Sequence, residues 1–219
     1  MKAENVPDSD LVHLRELPKA AVSVAVLGGS AAIALGKVSE WEEGIFEAVN
    51  QLPHALEWTL WAPMQSGNLF GPFVVAGGSW HVWRRWRPTV GSVVVGVASW
   101  QLAKVVKNAI ERGRPDDELH MIIRRAGTPK DGLGFVSGHS AVAFSLAAVL
   151  SPYLGRWRGV GYGLAATVSF ARIHVGAHLP LDTVGGAALG MTLAFAYNAA
   201  VGVPADSRRV TSRKAAPPP

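Results

Sequence analysis

Apolar residues in this 219-residue chain are gathered into six clumps, at roughly 20–36, 68–83, 89–106, 139–154, 158–171 and 183–203. A bilayer crossing takes about 20 predominantly apolar residues, about 17 at the short end. Segments 20–36, 89–106 and 183–203 meet that length unaided, whereas the other three need their polar flanks to complete a crossing. The expectation is an all-α fold, a polytopic membrane helical bundle of about six transmembrane helices, with five or seven also compatible. One domain accounts for the length. Its expected limits are a cytoplasmic N-terminal segment at 1–19, a membrane-embedded unit at 20–203 and a disordered cytoplasmic tail at 204–219.

The Ala32–Ile33–Ala34 run resembles a signal-peptide cleavage site, but the leader before it carries Glu4, Asp8, Asp10 and Glu16. Such an acidic leader is unlike a signal n-region, so the first helix is expected to be retained. With six crossings and the amino terminus inside, Arg84–Arg85–Trp86–Arg87, Arg156–Trp157–Arg158 and the tail cations Arg208, Arg209, Arg213 and Lys214 all fall in the cytoplasm. Short Arg- and Lys-rich loops stay on that side, which puts both termini inside and residues 38–66, 108–137 and 173–181 outside. The loop 108–137 keeps Arg112, Arg114, Arg124, Arg125 and Lys130 on the translocated side, an exception that points to function.

Between Ile45 and Leu60 the apolar positions 45, 46, 49, 52, 56 and 60 trace one helical face broken by Pro53. Two short amphipathic outer-surface helices are expected there, with Trp58 and Trp61 at headgroup level. The +5 formal charge does not form one polar patch; most basic residues flank apolar segments, which argues for lipid headgroups over nucleic acid. The absence of cysteine excludes disulfides, thiolate nucleophiles and cysteine metal sites.

Charged groups at the edge of hydrocarbon are costly and usually functional, and three stretches stand out. Lys107 and Arg114 are seven apart, expected on one helical face before Gly113 and Pro115 stop the helix. Snorkelling to the interface explains that pair equally well. Ser137–Gly138–His139 precedes an apolar run, so Ser137 reads as an N-cap. The unpaired amides at that helix start form an anion seat, and Gly138 allows close approach of a ligand. Arg172 closes one apolar segment, and His178, Pro180 and Asp182 open the next. A carboxylate four residues after a histidine can orient its ring, although an interfacial histidine is the plain alternative.

Taken together, the three stretches resemble the type 2 phosphatidic acid phosphatase superfamily, which includes bacterial lipid phosphatases and vanadium haloperoxidases. The family pattern is Lys-x6-Arg-Pro, then Pro-Ser-Gly-His, then Ser-Arg-x5-His-x3-Asp. The first motif is intact from Lys107 to Pro115; Val136 replaces the proline of the second and Ala171 the serine of the third. The resemblance spans roughly residues 45–200. It implies a membrane lipid phosphatase without a cofactor, in which Lys107, Arg114 and Arg172 neutralise phosphoryl oxygens and Ser137 and Gly138 add fixed donors. It further implies that His178 attacks phosphorus to give a phosphohistidine, Asp182 stabilises its imidazolium form, and His139 serves as acid and then base.

Two other readings stand beside it. His174, His178 and Asp182 at i, i+4 and i+8 have a spacing that could hold a metal ion. A non-catalytic lipid-binding or transport subunit would also bury basic residues, but gives no reason for paired histidines. The expected partner is a membrane lipid phosphate: polyprenyl pyrophosphate, a prenyl-phosphate sugar phosphate, phosphatidate or phosphatidylglycerol phosphate.

Overall fold

The structure, a computed structural model, describes residues 11–204. The expected disordered tail lies almost wholly outside the described residues, as do the first ten residues of the leader.

Each apolar segment carries a helix. In chain order they are α1 (Leu17–Ala34), α2 (Glu40–Asn50), α3 (Leu56–Gln65), α4 (Gly71–Trp83), α5 (Trp86–Ile110), the single turn α6 (Pro115–Glu118), α7 (Gly138–Leu154), α8 (Arg158–His174) and α9 (Pro180–Val201). A two-residue antiparallel pairing, β1 (Leu11–Val12) with β2 (Val203–Pro204), clasps the two ends of the bundle chain together. Helices α2 and α3 fall on either side of Pro53, where the amphipathic stretch was expected to break, and Trp58 is among the most exposed side chains.

Among the described residues three spans are long and apolar enough to cross a membrane: Leu14–Ala34, Trp86–Glu118 and Pro180–Val201. The helices α4, α7 and α8 are shorter, at 13, 17 and 17 residues. The result is a helical membrane bundle in which length and hydropathy alone mark three crossings among the described residues, a measure that does not confirm the six expected from the sequence. Helices α4, α7 and α8 stay below that length because the chain leaves helix at 66–70, 134–137 and 175–179.

Helix α7 is apolar nearly all round and sits at the centre, packed on α5, α8 and α9, as such a helix must be. Against it, α9 approaches to backbone contact. A Cβ at Gly186 would lie 2.3 Å from the Ser137 carbonyl oxygen, and one at Gly190 would lie 2.0 Å from that of Ala141. Small residues one turn apart are what let helices approach closely where lipid offers no hydrophobic drive. On the outside the usual exposure is inverted: Val22, Val24, Val26, Phe73, Val74, Val94, Val105, Val160 and Leu164 all face outward, an apolar belt suited to lipid.

Candidate active site

Lys107 occupies the last turn of α5, which ends where Glu111 adopts a left-handed conformation (φ +53°) and its N–H returns to the Lys107 carbonyl. Helix α5 therefore stops short of Arg114, correcting the expectation that both cations project from one helical face. Arg114 lies instead in an extended link (ψ 170°) that caps α6. The link turns it back toward Lys107, and the two charges act on each other. The Lys107 ammonium donates to the carbonyls of Leu133 and Gly134 at 2.6 and 2.7 Å. An ammonium has three donors, so one is left for a ligand.

Ser137 caps α7 as expected: its Oγ accepts from the Ser140 N–H at 3.4 Å. Its own N–H donates to the Asp182 carbonyl oxygen at 2.8 Å, tying the start of α7 to the start of α9. The first amides of α7, at Gly138 and His139, have no acceptor within the helix. The His139 ring stands edge-on to Trp100, 5.6 Å between centroids.

Arg172 is 2% exposed and donates from Nη1 to the Gly127 carbonyl at 2.9 Å, with Met64 Sδ at 3.6 Å. Arg114, 7% exposed, donates from Nη1 to the Ala177 carbonyl at 2.8 Å. Each guanidinium keeps a buried Nε with no hydrogen-bond partner among the described residues. A buried donor without an acceptor is costly, and two in one place call for an anion.

His178 lies in the connection between α8 and α9, and Asp182 in the first turn of α9 after Pro180. Asp182 Oδ2 accepts the Leu179 N–H at 2.9 Å and stands 3.4 Å from His178 Nδ1. Burial holds the His178 imidazole well below its usual range, and the charges of Lys107, Arg172 and Arg114 push the same way. The same three cations act on the His139 ring, and His139 in turn acts on His178. Lys107, Arg114, Arg172 and the two imidazoles thus share one electrostatic neighbourhood at one end of the bundle.

Sequence reasoning named Arg112 only as a loop cation and did not single out Glu42. Arg112 forms a two-pronged pair with Glu42, at 2.6 and 3.1 Å, while its Nη1 also donates to Asp182 Oδ1 at 3.1 Å. The Leu181 N–H donates to Glu42 Oε1 at 3.0 Å. Helix α2 is thereby locked to the start of α9, and both oxygens of Asp182 are engaged. The signal available in sequence was Glu42 itself, an acidic residue one turn before Phe46 on the face that α2 buries.

The metal-ligand alternative does not assemble. His174 Nδ1 lies 3.1 Å from the Val49 carbonyl, its ring stacks on Phe170, and Asp182 is occupied by Arg112 and Leu179. Among the described residues no group of three His, Asp or Glu side chains is placed to hold a metal ion.

Comparison with known proteins adds an independent line. Two curated relatives are similar over 98 residues: a lipid A 1-phosphatase from Rhizobium etli at 35% identity, and one from Rhizobium johnstonii at 34%. The match covers 43% of this chain and only 42% and 40% of those proteins, so the chain spans about two fifths of their length. Two solved structures share the fold. One is a transmembrane PAP2-type phosphatidylglycerolphosphate phosphatase from Bacillus subtilis, with TM-score 0.68, 22% identity, and 82% of this chain and 94% of that chain covered. The other is LpxE from Aquifex aeolicus, with TM-score 0.61, 20% identity, and 70% and 92% covered. The family model of the PAP2 superfamily matches residues 89–203, more than half of the chain and the stretch that holds all three motifs, and the chain belongs to that superfamily.

Proposed function

We propose that the chain is an integral-membrane lipid phosphatase that cleaves a phosphomonoester or pyrophosphate through a phosphohistidine. The observation that carries this reading is the meeting of two imidazoles, buried His178 and partly buried His139, with Lys107, Arg114 and Arg172, drawn from three separated segments. Three cations in a low-dielectric pocket suit a phosphoryl group, and arginine holds it with a fork. Asp182 faces Nδ1 of His178, which leaves Nε2 to attack phosphorus. The phosphorus–oxygen bond to the lipid breaks, and His139 gives its proton to the leaving oxygen. His139 then takes a proton from water, whose oxygen attacks phosphorus and breaks the phosphorus–nitrogen bond, regenerating His178. Amides at the start of α7, with Ser137, lie where charge develops. Arg112 and Glu42 act as positioning residues for Asp182. No divalent metal enters this scheme.

Residues 20–203 form the phosphatase unit, with 1–19 and 204–219 as flanks. The short helices complete their crossings with polar flanks, for six in all, both termini in the cytoplasm and the pocket on the outer face of the cell membrane. The arginines of 84–87 and 156–158 lie at the end of the bundle opposite the pocket, in keeping with the positive-inside bias. The substrate is a membrane lipid phosphate at the outer interface. The relatives' names add a lipid A-type phosphate to phosphatidylglycerol phosphate and the prenyl phosphates as candidates.

The test is phosphate release by purified protein in detergent, with chelator present, across a panel of these lipids. Release from at least one, lost in His178→Ala and His139→Ala protein that still inserts, supports the reading. Binding without release in the wild-type protein supports a lipid-binding subunit instead, and activity that vanishes with chelator and returns with zinc supports a metal hydrolase.

A further inference from the structure

The end of the bundle away from the candidate active site holds a separate concavity of about 120 Å³, bordered by Val12, Arg15, Glu16, Lys19, Ser151 and Arg158. It sits where the start of α1, the end of α7 and the start of α8 meet beside the β1–β2 clasp. Glu16 is 2% exposed, as deeply buried as the arginines of the active site. Its Oε1 accepts the Lys19 ammonium at 2.5 Å, but its Oε2 is buried with no hydrogen-bond partner among the described residues. A buried carboxylate oxygen without a donor is costly. Arg15 and Arg158 line the same concavity, exposed, and neither has an ion-pair or hydrogen-bond partner among the described residues.

The cavity therefore sets two features side by side: exposed guanidinium groups at the rim that can hold an anion, and a Glu16 carboxylate with one buried oxygen that lacks a hydrogen-bond donor. A phosphate joined by two carbons to a primary ammonium meets both. We propose that this cavity binds the headgroup of a phosphoethanolamine lipid, its phosphate on Arg15 and Arg158 and its ammonium on Glu16. In the orientation proposed above, the bound lipid belongs to the inner leaflet. A trimethylated headgroup carries the same charges but no N–H donor, so it loses the contact with Glu16. A phosphoglycerol headgroup satisfies the rim but brings no cation to the floor.

Native mass spectrometry of the full chain in detergent, with phosphatidylethanolamine, its mono- and dimethyl derivatives, phosphatidylcholine and phosphatidylglycerol, tests this. Retention is expected to hold while an N–H remains and to fall about tenfold or more on the last methylation, the scale of one charge-assisted hydrogen bond. Glu16→Gln is expected to erase that step without changing phosphate release, and Arg15→Ala with Arg158→Ala to weaken every headgroup together. Equal retention of ethanolamine and choline lipids overturns the proposal, as does a preference unchanged by Glu16→Gln. Stronger retention of phosphatidylglycerol than of phosphatidylethanolamine shows a plain anion site and overturns it too. The headgroup series on wild-type protein decides the matter even where a variant is unstable, and it does not depend on the phosphatase reading.

Discussion

The two ends of the bundle are both rich in arginine and lysine, yet they treat those residues oppositely. At one end Arg112, Arg114 and Arg172 are buried and each is aimed by a carbonyl or carboxylate. At the other, Arg15, Lys19, Arg156 and Arg158 stand exposed at the start of α1 and around the turn from α7 to α8. An exposed cation beside a bilayer is an anchor that water and headgroups serve equally well. A buried cation is useful only where something negative arrives. Burial, more than residue type, separates the reactive end from the anchoring end.

Substitutions can break or sharpen that contrast. The largest loss is expected at His178: alanine there should cut phosphate release by about 10⁴-fold or more, as when a nucleophile is taken from a unit of catalytic groups. His139→Ala should cost about 10²–10⁴-fold on an alkyl lipid phosphate. That deficit should shrink on an aryl phosphate, whose leaving oxygen needs no proton; an equal deficit on both substrates would remove His139 from the acid role. Arg112→Ala should destabilise the protein by about 3–5 kcal/mol, because Glu42 and Asp182 lose their shared counter-charge; a denaturation midpoint measures it, and Arg112→Lys should recover part.

The pH profile gives a subtler effect. In the proposed mechanism the attacking form of His178 is the neutral ring, present above its pKa. Because burial and the surrounding cations depress that pKa, the acid limb of kcat/KM that His178 sets should lie below the ordinary imidazole value of about 6.5. An acid limb at or above that value would contradict the buried environment. The smallest change is expected at the anchoring end, where Arg156→Ala should alter stability by no more than about 0.5 kcal/mol and leave turnover untouched.

Much of this site was legible from residue order. Helix starts at Ser137 and Pro180 follow from local rules, a capping hydroxyl and a proline that needs no donor, and both hold in the structure. The break near Pro53 was equally local. Arg114 was misjudged because helix periodicity was carried across Gly113, while the chain had already turned at Glu111. Arg112 and Glu42 were invisible for another reason: they are 70 residues apart and pair only once α2 folds over the start of α9. Crossing number was the least legible, since helices of 13 and 17 residues depend on flanks whose conformation local pattern does not determine.

The Gly186 and Gly190 contacts with the Ser137 and Ala141 carbonyls have a consequence for how such a protein can be tuned. Main chain touching main chain leaves no side chain to trim or enlarge between the starts of α7 and α9, so the gap between His139 and the segment that carries His178 and Asp182 is set like the jaw of a fixed wrench. On the lipid phosphatase reading proposed above, choice among substrates falls to the mouthparts around that jaw, chiefly the 119–134 segment whose Gly127 carbonyl meets Arg172, where substitutions reshape the entrance and leave the proposed chemistry as it was.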